Sequence, residues 1–151
     1  VLILGSLPGE ASLAAGEYYA HPRNLFWRLA GEVIGQPALP ALAYARRLAA
    51  LVAAGVGLWD TIASAEREGS LDAAIRKAAP AALPALVASL PGLRAVAFNG
   101  KTSARLGRPV LAGCGLALVD LPSSSPAHAA LSFAAKREKW LVLREFLRGE
   151  G

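Results

Sequence analysis

Four short segments of this chain hold the side chains that can do chemistry. The richest is Tyr18-Tyr19-Ala20-His21-Pro22-Arg23-Asn24-Leu25-Phe26-Trp27, in which phenols, an imidazole, a guanidinium and an amide crowd together before a helix. Aromatic faces stack on unpaired bases, and Arg with the first N–H groups of a helix suits phosphate. A plain core segment has no use for His21, Arg23 and Asn24 so close together. The competing reading makes Phe26 and Trp27 core residues and Asn24 an N-cap. In Asn99-Gly100-Lys101-Thr102, Asn99 offers a carbonyl and an amide to a base edge and Lys101 a point charge to phosphate; alternatively, Asn99 ties its own turn. Leu121-Pro122-Ser123-Ser124-Ser125-Pro126-Ala127-His128 packs hydroxyls between prolines, a stiff array of donors for consecutive phosphates or simply a rigid surface loop. Gly5-Ser6-Leu7-Pro8-Gly9 lets the backbone approach a phosphate, sugar or base, as would an ordinary strand-to-loop turn.

Other chemistries fit poorly. A phosphate-binding G-x-x-x-x-G-K-[ST] loop ending at Gly100-Lys101-Thr102 needs glycine at position 95, and the residue there is Ala95. There is no G-x-S-x-G elbow for a serine hydrolase. Two histidines, a single Cys114 and no H-E-x-x-H predict no metal, no iron–sulfur cluster and no cofactor. Asp72, two residues after Ser70, reads as a helix-dipole partner, and Asp60 and Asp120 read first as turn-stabilising carboxylates, with a functional role as the alternative. The 16 basic against 11 acidic residues give a formal charge of +5, which suits a polyanionic partner.

The elements that must position these segments follow from apolar punctuation. Four runs end in Gly, Asp, Asn or Leu-Pro and read as parallel strands: Val1 to Gly5, Val56 to Asp60, Ala95 to Asn99 and Leu116 to Leu121. Being nearly all apolar, they are expected to be buried on both faces. Helices are expected over Asn24 to Ile34, Leu42 to Ala54, Leu71 to Ala79, Ala82 to Ser89, Thr102 to Gly107 and Ser132 to Leu147. The last carries Phe133, Trp140, Leu143 and Leu147 on one side. The segments just after the strands, Gly5-Ser6-Leu7-Pro8-Gly9, Trp59-Asp60-Thr61, Asn99-Gly100-Lys101 and Pro122-Ser123-Ser124-Ser125-Pro126, then lie where open parallel sheets bind ligands. With 151 residues, 54% of them hydrophobic, the chain reads as one domain, 1–151, able to bury roughly 70% of its unfolded surface. No apolar run is long enough for a signal or membrane span, and one cysteine suits a reducing, cytoplasmic setting. The Val1 start and the lack of Met predict a trimmed initiator or a start inside the gene.

Taken in order, the four segments resemble the uracil-DNA glycosylase superfamily, specifically its hypoxanthine-DNA glycosylase (deoxyinosine glycosylase) branch. Leu58-Trp59-Asp60 and Gly69-Ser70-Leu71-Asp72 add to the likeness, which spans nearly the whole chain. The resemblance implies an α/β fold, a three-layer α/β/α sandwich around a short, mainly parallel four-stranded sheet. It implies a monofunctional enzyme that flips a deaminated base out of DNA and hydrolyses its N-glycosidic bond, because the anomeric carbon cannot be reached inside the stack.

In mismatch-specific uracil relatives the first loop reads G-I-N-P-G and its Asn positions water; here that position is Leu7. They share H-P-x-N-x-F-W, so the resemblance assigns water orientation to Asn24, stacking on the flipped base to Tyr19 and base-edge reading to Asn99. Ser6, Leu7 and Phe26 complete the base site. Gly9, Ser12, Arg23, Lys101, Ser123, Ser124, Ser125 and His128 are implied to meet the DNA backbone, and Leu121 replaces the usual His or Asn. His21 is the titratable candidate to assist the departing base. Hypoxanthine as substrate, a uracil or broader deaminated-base enzyme, and a catalytically inert nucleic-acid or nucleotide-binding module all remain open at this point. Amine attack by Lys101 is disfavoured, and a monomer without metal is expected.

Overall fold

The computed structural model describes residues 1–5, 16–60, 82–126 and 130–147. The strands are β1 (Leu2–Gly5), β2 (Gly57–Asp60), β3 (Ala95–Asn99) and β4 (Ala117–Leu121). The helices are α1 (Phe26–Ile34), α2 (Tyr44–Ala54), α3 (Leu83–Ala88), α4 (Lys101–Leu111) and α5 (Phe133–Trp140), with 3₁₀ turns at Leu39–Ala41 and Leu141–Phe146. The expected helix Leu71 to Ala79 and the Gly69-Ser70-Leu71-Asp72 segment lie outside the described residues.

All strand pairs are parallel, in the order β2-β1-β3-β4, with Gly5 opposite Asp60 and Asn99 opposite Leu121. Alternation along the inner strands divides the core into two layers. Ile3, Ala95 and Ala97 pack with Phe26, Leu29, Leu51, Trp140 and Leu143 from α1, α2, α5 and the turn after it. Leu2, Leu4, Val96 and Phe98 pack with Leu83 and Leu111 from α3 and α4. Helices thus cover both faces, giving the three-layer α/β/α arrangement. Burying one such Leu or Phe side chain is worth about 1.5–3 kcal/mol, so the inner strands anchor the loops at their ends. Gly107 marks how closely α4 lies on β3: a Cβ there would fall 2.7 Å from the Phe98 ring.

Several boundaries differ from the sequence reading for local reasons. β1 and β3 are buried throughout, but edge strands β2 and β4 are largely half-exposed, and Trp59 is 42% exposed. Among the described residues each edge strand has a strand neighbour on one side only. α1 begins at Phe26, two residues later than expected, and ends where Gly35 enters the left-handed region at φ 74°. α4 runs past Gly107 to Leu111, with Pro109 inside its last turn. The closing helix tightens after Trp140 into a 3₁₀ turn, keeping Trp140, Leu143 and Leu147 buried. Its start is capped by Ser132, whose hydroxyl accepts the Ala135 N–H at 3.1 Å. Among the described residues no helix is long and apolar enough to cross a membrane.

Candidate active site

Asp60, Gly5 and Asn99 end β2, β1 and β3 side by side. The chain passes from β1 to β2 on one side and then back past β1 to β3, so the crevice above Gly5 is the topological switch point of the sheet.

Tyr19 lies over that crevice. Its ring stacks on Phe26 with centroids 4.0 Å and planes 11° apart, and its hydroxyl accepts from Asn99 Nδ2 at 3.3 Å. A Cβ on Gly5 would fall 3.0 Å from the Tyr19 hydroxyl and 3.1 Å from Asp60 Oδ1, so the missing side chain keeps both polar groups close to one point. Among the described residues Tyr19 alone, apart from glycines, has a positive φ, 55°. A bulky residue in that region costs about 1–3 kcal/mol, and its neighbours hold it there. The Tyr18 N–H donates to the Tyr44 hydroxyl at 3.0 Å, and the Trp27 indole N–H donates to the Tyr18 carbonyl at 3.3 Å.

The crevice is electrostatically unusual. Burial pushes the Tyr19 hydroxyl far above its ordinary range, the Asn99 hydrogen bond pulls it partly back, and the Asp60 and Tyr18 charges add to the rise. The phenol is therefore protonated at any physiological pH. Burial likewise pushes the Asp60 carboxyl up to about 6. Among the described residues no cation or hydrogen-bond donor meets it. Asp120, by contrast, pairs with Arg108 at 2.8 Å, as a structural carboxylate does.

Ser124 closes the site from inside. Only 1% exposed, it donates its N–H to Asn99 Oδ1 at 2.9 Å and accepts from Asn99 Nδ2 on its hydroxyl at 3.0 Å. Its carbonyl accepts the Leu25 N–H at 2.9 Å, and the preceding Pro122 carbonyl accepts the Trp140 indole N–H at 2.9 Å. The Asn24 segment, the end of β3 and the serine loop are therefore clasped together through one buried residue. Ser124 faces inward, whereas Ser123 and Ser125 stay partly exposed, with the Ser125 N–H donating to Ser123 Oγ at 3.1 Å.

Asn24 stands at the mouth of α1. Its Oδ1 accepts the Phe26 N–H at 2.9 Å, while its Nδ2 makes no hydrogen bond among the described residues. It satisfies one orphan donor of the helix without being the residue that starts it, and keeps an amide to offer. His21 Nδ1 accepts the Arg23 N–H at 3.1 Å, and Arg23 itself is exposed on the rim. Phe26 is fully buried and meets the site through Tyr19.

The structure thus gathers Tyr19, Asn24, Phe26, Asn99 and Ser124 into one cluster, with His21, Arg23, Lys101, Ser123 and Ser125 around it. Ser6, Leu7, Gly9, Ser12 and His128 lie outside the described residues. Beside the cluster, a cavity of about 690 Å³ opens along the free edge of β4, bordered by Gly100, Ser123 and the basic Lys101, Arg105, Arg108, Lys136 and Lys139. Of these basic residues, sequence reading picked only Lys101. The i, i+4, i+7 spacing of Lys101, Arg105 and Arg108 on one helix face was the available signal. The arrangement supplies a stacking ring, amides, a half-buried carboxyl and an adjoining cationic flank, a set suited to a base and its backbone.

Comparison with known proteins agrees with that reading. The family model described as "Uracil DNA glycosylase superfamily" matches residues 1–146. A curated "Hypoxanthine DNA glycosylase" from Methanosarcina barkeri is 39% identical over 140 residues, covering 93% of this chain and 87% of its own. A protein of the same description from Methanosarcina acetivorans is 38% identical over 144 residues, covering 95% and 90%. The solution NMR structure of a provisionally assigned uracil DNA glycosylase from Methanosarcina acetivorans superposes with a TM-score of 0.79 at 37% identity, covering 95% of this chain and 87% of that one.

Proposed function

The chain belongs to the uracil DNA glycosylase superfamily, and from that premise we propose that it is a monofunctional DNA glycosylase that excises hypoxanthine from deoxyinosine and leaves an abasic site. The observation that carries the choice of base is the likeness, over more than nine-tenths of the chain, to two proteins described as hypoxanthine DNA glycosylases.

In this reading the flipped base stacks on the face of Tyr19 that Phe26 leaves open, with its edge at the phenol end of the ring. Both hydrogens of Asn99 Nδ2 are engaged, and the longer bond, 3.3 Å to the Tyr19 hydroxyl, is the one to exchange for the O6 carbonyl of the base. Donation to O6 also stabilises the negative charge that builds on the base as the bond to the sugar breaks. Asn24 orients the water that attacks the anomeric carbon as the sugar gains oxocarbenium character. The water adds its oxygen to that carbon, the electron pair of the broken C–N bond leaves with the base, and the proton the water gives up ends on the released base as an N–H. His21, beside Asn24 in the turn, is placed to assist the departing base. The cationic flank at Lys101 and the exposed Ser123 and Ser125 hold the phosphodiester backbone, while Ser124 acts from beneath.

The test is a single-turnover assay on duplexes carrying one deoxyinosine, deoxyuridine or deoxyxanthosine, with alkali to reveal abasic sites. Cleavage at deoxyinosine is expected, reduced about 10²–10³-fold by Asn24→Ala with lesion binding retained. Cleavage confined to deoxyuridine would overturn the choice of base, and none at all would leave a binding module.

A further inference from the structure

Asp60 is the one strand-end residue of the crevice that the mechanism above leaves unused. It ends β2 directly opposite Gly5 of β1. Its Oδ1 and the Tyr19 hydroxyl lie 3.1 and 3.0 Å from the single point that a Gly5 side chain would occupy. Asn99 Nδ2 reaches the same hydroxyl at 3.3 Å. The phenol end of Tyr19 is thus flanked by a hydrogen-bond donor on the β3 side and an acceptor on the β2 side. The acceptor is a half-buried carboxyl with no donor or cation to meet it among the described residues. A carboxylate tied into its turn or ion pair, as Asp120 is by Arg108, would need no ligand. Among the described residues nothing plays that part for Asp60.

Deamination supplies the missing donor. Adenine carries a lone pair on N1 and an amino group beside it; hypoxanthine carries N1–H beside a carbonyl. Cytosine and uracil differ in the same way at N3 and O4. The lesion is therefore a lactam, with a donor next to an acceptor, and its parent is the reverse pattern.

Resting on the glycosylase reading above, we propose that the Asp60 carboxylate accepts the ring N–H created by deamination while Asn99 donates to the adjacent carbonyl, so that Asp60 is the specificity-determining residue that rejects the parent bases. Against adenine the carboxylate faces a ring lone pair across a partly desolvated gap, with no proton between them. A site built to pair with a donor rejects an analogue that lacks it more strongly than an apolar pocket rejects a change of size. Gly5 belongs to the same device, since any side chain there would fill the space through which Asp60 reaches the base edge. Among the described residues the titratable groups that face Asp60 are the Tyr18 and Tyr19 hydroxyls, both shifted upward and so neutral through the working range.

The experiment measures equilibrium binding of the wild type and Asp60→Asn to duplexes carrying 2′-fluoro-deoxyinosine or 2′-fluoro-deoxyadenosine, and the corresponding deoxyuridine and deoxycytidine pair, all resistant to cleavage. The amide has nearly the shape of the carboxyl but can turn either a donor or an acceptor to the base. The preference for the lesion over its parent is expected to shrink threefold or more in Asp60→Asn. In the wild type that preference should hold between pH 7 and 8 and decline as pH falls through about 6, where the carboxyl takes up a proton, while Asp60→Asn stays flat. If the variant keeps its preference to within threefold, or the wild-type preference rises on acidification as it would for a proton-donating Asp60, the assignment is overturned and the glycosylase reading stands. A wild type with no preference for either deaminated base overturns both.

Discussion

The clasp around Ser124 makes a quantitative prediction. In Ser124→Ala the Asn99 Nδ2 hydrogen at 3.0 Å loses its acceptor in a site 1% exposed. The backbone bonds from Ser124 N–H to Asn99 Oδ1 and from Leu25 N–H to Ser124 carbonyl remain. A single buried donor left unpaired costs about 1–2 kcal/mol. Asn99→Ala removes three bonds at once and strands the Ser124 N–H, for about 3 kcal/mol. Because the two changes share one bond, the double variant should fall about 1 kcal/mol or more short of their sum. In a chain of this size each kcal/mol shifts Tm by about 2–4 °C. Urea unfolding of the four proteins measures the cycle. Additivity to within 0.5 kcal/mol would refute a shared clasp. A comparison with Ser123→Ala separates structure from DNA contact: Ser124→Ala should lower stability without changing the salt dependence of DNA binding, whereas Ser123→Ala should weaken DNA binding and, losing only the bond from the Ser125 N–H, cost about 1 kcal/mol or less.

Three further outcomes follow from named groups. Lys101→Ala should reduce the magnitude of the slope of log K against log salt by about 0.9, the share of one neutralised phosphate, and borohydride should trap no covalent adduct at Lys101; an adduct there would replace water attack by amine attack. Asp60 has its folded-state pKa raised from about 4 to about 6, so its proton stabilises the fold below pH 4 and that contribution is lost as pH rises through 6. Asp60→Asn should therefore gain about 1–2 kcal/mol over the wild type at pH 7, after allowing for partial exposure, and almost nothing at pH 4, as read by urea unfolding at both. Gly5→Ala should displace Tyr19 or Asp60, costing about 1–3 kcal/mol and lesion binding; a variant with wild-type binding would show that the crevice yields freely.

The central strands were legible because burial on both faces leaves an unmistakable run: Ala95 to Asn99 appears with the expected bounds, and Val1 to Gly5 loses only its first residue. Similar runs at β2 and β4 implied two-sided burial that edge strands do not have, since a residue's neighbours across a sheet are set by strand order. Asn24 and Asn99 each drew a structural and a functional reading, and the hydrogen bonds at Phe26 and Ser124 show why. An amide satisfies a backbone donor through Oδ1 and still carries Nδ2. Three consecutive serines, by contrast, give no hint of which turns inward, because that depends on where Asn99 and Leu25 arrive from distant parts of the chain. For Asp60 the sequence left a turn role and a functional role side by side, because its closeness to the Tyr19 hydroxyl across Gly5 is a tertiary fact.

The strained backbone of Tyr19 carries a different kind of consequence. Glycine would suit φ 55° better, yet glycine would remove the ring that rests on Phe26 and the hydroxyl that Asn99 reaches. Position 19 therefore sets backbone ease against side-chain contacts: glycine would relieve about 1–3 kcal/mol of strain but forfeit about 3–5 kcal/mol of ring packing. Selection for stability alone and selection for activity alone should both keep the tyrosine.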